Sequence, residues 1–181
     1  MSKLTSDEVE FKIKKLISLE KSLPEQIFPN PEKYNFYFEE PEAISIDDED
    51  FIKMIKQFVE KTHDKEAYIS EILEEKKFLQ KWKISLELRR KIDFSQSDSD
   101  IINDLDIDNI MEKNALIHFF MYFPSEQIFI LANGYLEIAV LAIDKKLDVD
   151  VSWYEVEEYC SVEIIKKRFS NGLIKNYRNF S

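Results

Sequence analysis

The sequence predicts an α+β protein in which a three-stranded or larger antiparallel meander packs against N-terminal helices and a C-terminal helix. Three observations predict it. Apolar runs over residues 116–123, 127–131 and 135–143 have the composition of strands and are separated by turn residues. Segments with apolar residues at helical spacing lie on both sides of those runs. Finally, 181 residues of which 44% are hydrophobic suffice for one well-buried core. A single domain over residues 1–181 is expected, with a helical part over about 1–94 and an α+β part over about 101–181.

The elements follow in order. Thr5 or Ser6 caps a first helix with Asp7 and Glu8 in its first turn, where carboxylates suit the positive end of the dipole. Val9, Ile13, Leu16, Ile17 and Leu23 keep helical spacing, and Pro24 marks the end. Pro29 and Pro31 bracket a turn, and Tyr34, Asn35, Phe36, Tyr37 and Phe38 form a short aromatic strand. The acidic stretch with Pro41 is an exposed loop. A second helix starts near Asp47 and Asp48 with the stripe Phe51, Ile52, Ile55, Phe58 and Val59. A third runs from about Asp64, with Tyr68, Ile72, Leu79, Trp82 and Leu86 on one side. Over residues 82–94 the alternation of Trp82, Ile84, Leu86, Leu88, Ile92 and Phe94 also fits a strand. Helix is preferred because no turn residue divides the segment.

Residues 95–100 are a Ser- and Asp-rich loop, and 101–111 a short helix. Pro124, Ser125 and Glu126 turn the first strand of the meander into the second. Asn133-Gly134 is a two-residue hairpin signal. The run Ile138 to Ile143 reads as a central strand covered on both faces. Ser152 to Glu155 matches a capping box, opening a helix with Val156, Tyr159, Cys160, Ile164 and Phe169 inward. Asn171-Gly172 is its left-handed stop. The tail is basic: Lys166, Lys167, Arg168, Lys175 and Arg178.

Composition removes several function classes. With two glycines the chain has neither a P-loop nor a dinucleotide fingerprint. No apolar run reaches membrane-spanning length. Residues 1–16 lack the apolar core of a secretory signal, and Cys160 is the single cysteine, so a reducing, cytoplasmic setting is expected. The formal net charge is −11. Such a balance disfavours direct binding to nucleic acid or to anionic membranes and favours capture of a basic partner. The acids cluster in two places: Glu39, Glu40, Glu42, Asp47, Asp48, Glu49 and Asp50, then Asp98, Asp100, Asp104, Asp106 and Asp108. Both are candidate partner-binding surfaces.

No chemistry is expected beyond binding. Asp104, Asp106 and Asp108 open like a calcium loop, but Asn109 and Ala115 stand where that loop needs Gly and Glu. His63, His118 and Cys160 lack zinc-ligand spacing. His118 reads as a half-buried core residue and Cys160 as an inert buried thiol. The segment Phe119, Phe120, Met121, Tyr122 and Phe123 is core rather than a ligand box. No metal, cofactor or catalytic residue is expected.

The run from Phe119 through Pro124, Ser125, Glu126, Asn133 and Gly134 to Val140, with the acidic clusters, resembles the immunity proteins of bacterial polymorphic-toxin systems, including contact-dependent growth inhibition. The resemblance covers the last third of the chain. It implies a cytoplasmic antitoxin that binds and neutralises one cognate basic toxin domain, a nuclease, by covering its active site with an acidic face. Two alternatives stay open on the residues alone: an acidic phage or host-defence adaptor without catalysis, and an enzyme with an unrecognised carboxylate site.

Overall fold

The computed structural model describes residues 5–18, 20–40, 49–76, 82–105, 118–134, 136–161 and 167–179. The elements are α1 (Ser6–Leu16), β1 (Tyr34–Glu39), α2 (Glu49–Thr62), β2 (Glu66–Lys76), β3 (Trp82–Asp93), α3 (Asp98–Leu105), β4 (His118–Tyr122), β5 (Ile128–Asn133), β6 (Ile138–Asp144), β7 (Tyr154–Glu155), α4 (Val156–Tyr159) and α5 (Lys167–Tyr177). The seven strands form one sheet in the order β3-β2-β4-β5-β6-β1-β7, with every neighbouring pair antiparallel. The α+β class holds, and the expected meander is the β4-β5-β6 centre of a larger sheet.

Strand alternation sends successive side chains to opposite faces. Phe36, Phe38, Tyr68, Phe120, Tyr122, Phe129, Leu131 and Val140 join one core with Val9 and Ile13 of α1, Val156 and Tyr159 of α4, and Leu173 and Tyr177 of α5. Ala67, Ile69, Phe119, Met121, Ile128, Ile130 and Leu141 join the other with Ile52, Ile55 and Phe58 of α2 and Ile101 of α3. Helices therefore cover both faces, and β4, β5 and β6 are buried along their whole length. That is why these strands read as near-continuous apolar runs.

Several details follow the sequence. Thr5 caps α1 in a capping box: the Glu8 amide donates to Thr5 Oγ1 at 3.3 Å and the Thr5 amide to Glu8 Oε2 at 2.8 Å. The α2 stripe of Phe51, Ile52, Ile55, Phe58 and Val59 is buried as expected. Pro124, Ser125 and Glu126 make the β4–β5 turn, with Glu126 at φ 57° and its amide on the Phe123 carbonyl at 2.9 Å. No helix among the described residues is long and apolar enough to cross a membrane.

Five expectations are corrected. The helix from Asp64 through 94 is instead the β2–β3 pair, registered from Glu66↔Asp93 to Lys76↔Trp82. Pairing of β2 with β4 overrides local helix propensity: Ala67 and Ile69 fill one core while Tyr68 and Ile72 fill the other, which no single helical stripe does. The first helix ends at Leu16, and Ile17 and Leu23 are buried from irregular chain rather than from a helix face. The two-residue hairpin at Asn133-Gly134 is a four-residue connection, because Asn133 pairs with Ile138 and the left-handed residue is Glu137, at φ 54°. The capping box at Ser152 does not form. Tyr154 and Glu155 pair with β1, Trp153 enters the core with α2, and α4 starts at Val156. Asn171-Gly172 does not stop a helix, since α5 runs through both to Tyr177.

Gly172 is needed there for a different reason. A Cβ at this position would lie 2.7 Å from Pro24 Cγ and 2.9 Å from Pro24 Cβ. The close approach is fixed by polar staples. Tyr177 Oη donates to the Glu25 carbonyl at 2.7 Å and accepts from the Ile27 amide at 3.1 Å. Asn176 Nδ2 donates to the Pro24 carbonyl at 2.8 Å, and Gln26 Nε2 to the Asn176 carbonyl at 2.5 Å. The segment leaving α1 is thus strapped to the last helix.

Candidate functional site

The strand registers bring Glu39, Glu40 and Glu137 together at one end of the sheet. The registers run in a row from Glu39 through Ala139, Ala132 and Phe119 to Glu71. The next row outward is His118, Asn133 and Ile138. Glu39 and Glu40 close β1 at this end, and Glu137 belongs to the β5–β6 connection beside them. α2, which packs on the face of Ala67, Ile69 and Met121, starts with Glu49 and Asp50. The Glu49 and Asp50 side chains are 64% and 93% exposed, and both meet Lys53.

The opposite end carries Lys33, Lys65, Lys145 and Lys146 at strand termini. Asp144, Glu126, Glu66 and Asp64 at this end are engaged. Lys33 Nζ lies 3.5 Å from Asp144 Oδ2, Lys12 Nζ 3.5 Å from Glu126 Oε1, and Lys91 pairs with Glu66. Asp64 accepts from the Ser125 amide at 2.8 Å and from Ser125 Oγ at 2.6 Å. Among the described residues, Glu39, Glu40 and Glu137 make no ion pair.

Tyr159 reports the local field. It stacks on Phe38 with centroids 5.6 Å apart and donates to the Glu137 carbonyl at 3.1 Å. Burial pushes its hydroxyl well above the ordinary phenol range, and Glu40, Cys160, Glu39 and Glu137 add to the shift. Glu137 is an acidic residue that its sequence position does not flag. Only the hairpin places it beside Glu39.

The second cluster is divided. Asp98 and Asp100 lie in the first turn of α3. Asp98 pairs with Lys56 of α2, whose Nζ also donates to the Gln96 carbonyl at 3.0 Å, and Asp100 caps through Ser97. The Lys56 contacts fasten the start of α3 to α2. Asp104 is the penultimate residue of α3, and Glu42, Asp47, Asp48, Asp106 and Asp108 lie outside the described residues. So do the helix expected beyond Leu105, Ile164, Tyr135 and the acidic loop at Pro41. No group of three or more His, Cys, Asp or Glu among the described residues is arranged to hold a metal.

A small cleft of about 40 Å³ lies between the segment leaving α1 and the sheet. Ile17, Ser18, Lys21, Ser22, Leu23 and Ile27 of the strap form one wall; Ile72, His118, Leu131 and Asn133 of the sheet form the floor. Metabolite pockets are typically about 300–1,000 Å³, several times larger. His118 is 8% exposed, and burial holds its imidazole down to about 4, so it is neutral at pH 7. Cys160 is half-buried, with Sγ 3.8 Å from the Ser170 carbonyl, and burial raises its thiol. That leaves it protonated and unreactive at neutral pH.

No protein-family model, no curated protein and no solved structure matches the chain.

Proposed function

We propose that this chain is a cytoplasmic immunity protein that docks its acidic sheet end onto the basic active site of a bacterial toxin domain, a nuclease, and excludes the substrate. The observation that carries the reading is the acidic end of β1: Glu39, Glu40 and Glu137 lie together and make no ion pair among the described residues, while Asp144, Glu126 and Glu66 at the other end pair with lysines. A carboxylate-rich end of this kind matches the charge pattern of phosphate in a nuclease cleft. Its field speeds encounter with a basic surface by about 10- to 1,000-fold at low salt. Glu39 ends β1, which is paired along its length with the buried β6, so little ordering entropy opposes binding there.

The test is affinity capture from the source cells with the tagged chain, followed by association kinetics with the recovered partner at low and moderate ionic strength. The expected result is a basic toxin domain that binds faster at low salt and loses activity when bound. A recovered partner without a basic surface, or an association rate indifferent to salt, overturns the reading.

A further inference from the structure

We propose that the outer edge of β3 pairs with the same strand of a second copy of this chain, antiparallel about a two-fold axis at Ser85, and so joins two sheets into one. The inference stands apart from the docking reading above and uses the sheet edge opposite β7.

The two edges of the sheet differ. At one, β7 and the Asn179 carboxamide engage the outer side of β1. At the other, β3 is 12 residues long and pairs with β2 on one side; among the described residues no strand lies on its outer side. An edge of this length is a template for another strand. β4 pairs with β2 over Tyr68 to Glu71, so beyond Glu71 the β2–β3 arm is two strands wide. A two-stranded ribbon is marginal in water, and a second copy makes it four strands. Arg89 is the extra residue of a bulge, since Ser70 pairs with Leu88 and Ile69 with Arg90. The regular run is therefore Trp82 to Leu88.

The sequence of that run is complementary to itself. A two-fold at Ser85 sets Lys83 opposite Glu87, Ile84 opposite Leu86 and Trp82 opposite Leu88, and the axis repeats each pair. Opposite charges and apolar residues facing each other across an antiparallel pair both stabilise it. Neighbouring centres fail. At Ile84 the axis sets Lys83 opposite Ser85, at Leu86 it sets Lys83 opposite Arg89, and at Glu87 it sets that carboxylate on its copy. Within the chain Glu87 is registered with Glu71, a like-charge pair, and Lys83 of the second copy enters the same row. Leu86 is registered with Ile72, and both join the core that holds α1, so Ile84 of the second copy extends an apolar row. β3 carries Lys83, Arg89, Arg90 and Lys91 against Glu87 and Asp93, which offsets at this edge the repulsion between two chains of net charge −11.

Sedimentation of the full chain over a range of concentrations tests this. Wild type should form a reversible dimer. Lys83→Glu and Glu87→Lys each place two like-charge pairs across the axis and should weaken that dimer by about ten-fold or more, with the circular dichroism unchanged. Mixed in equal amounts, the two variants set acid opposite base at both positions and should recover the wild-type association as a heterodimer. The charge-exchanged double variant, with both substitutions in one chain, should dimerise by itself. A wild type that stays monomeric throughout overturns the self-pairing, and protection of the Ser85 and Glu87 amides that arises only with a captured partner would then give the edge to a strand of that partner. A dimer that neither single variant weakens, or one that neither the mixture nor the double variant restores, overturns the register at Ser85.

Discussion

The Asn179 carboxamide takes the place of a strand on the outer edge of β1. Its Oδ1 accepts from the Phe36 amide at 2.7 Å and its Nδ2 donates to the Phe36 carbonyl at 3.0 Å. Strand β7 covers only Tyr37 and Phe38 on that side. One side chain beyond α5 thus satisfies the backbone groups that an open edge would present to another chain.

Asn179→Ala leaves both Phe36 backbone groups unpaired beside a residue that is 2% exposed. The expected loss is about 1–3 kcal/mol of stability, read by denaturant unfolding. Faster amide exchange at Phe36 than at Ile130, in the sheet centre, would locate the loss at the edge. Unchanged exchange at Phe36 would show that water or another side chain serves the edge equally well.

Gly172 gives a second stability test, with an unusual sign. Ala in a helix interior is ordinarily more favourable than Gly by about 1 kcal/mol. Here the added methyl meets the Pro24 ring at 2.7 Å, and the strap cannot retreat without breaking the Tyr177 and Asn176 hydrogen bonds. Gly172→Ala should therefore lower stability by about 1–3 kcal/mol, as overpacking does. A raised melting temperature would show that the strap yields.

The meander was legible because buried central strands are apolar on both faces, as Ile138, Ala139, Val140, Leu141, Ala142 and Ile143 are. The β2–β3 pair was not. Residues 77–81 contain no Gly, Pro, Asn or Asp to signal a turn, and β2 owes its state to β4, some fifty residues on in the chain. Gly172 looked like a stop because sequence shows the glycine and not Pro24, which lies against it only after folding. Glu39, Glu40, Glu49 and Asp50 were found by local density. Glu137 is an isolated acid, and the cleft joins residues of the strap to others of β2, β4 and β5. Proximity made by topology leaves no local pattern to read.

His118 should make stability fall as the solution is acidified. Burial lowers its folded pKa from 6.5 to about 4, so the unfolded chain binds the proton first. Its contribution is fully present above pH 6.5, declines as pH falls towards about 4, and is then exhausted. The full effect is about 3 kcal/mol. His118→Gln should flatten the difference in unfolding free energy between pH 6.5 and 4.5, and a titration of the ring proton should place the midpoint near 4. A midpoint above 6 would mean that the imidazole is solvated or paired with an acid.

Charge reversal at the acidic end distinguishes a docking surface from a general solubility charge. Glu39, Glu40 and Glu137 changed together to Lys should slow association with the captured partner and flatten its salt dependence. Three exposed acids elsewhere, Glu32, Asp148 and Asp150, changed to Lys alter the net charge equally and should leave most of the on-rate intact. Both triple variants should keep their stability to within about 0.5 kcal/mol per site, because surface substitutions away from packed features cost little. The comparison works because steering depends on where charge sits relative to the contact, while non-specific attraction follows the total. Equal slowing by the two variants would assign the acidity to the whole surface and remove Glu39, Glu40 and Glu137 from the interface.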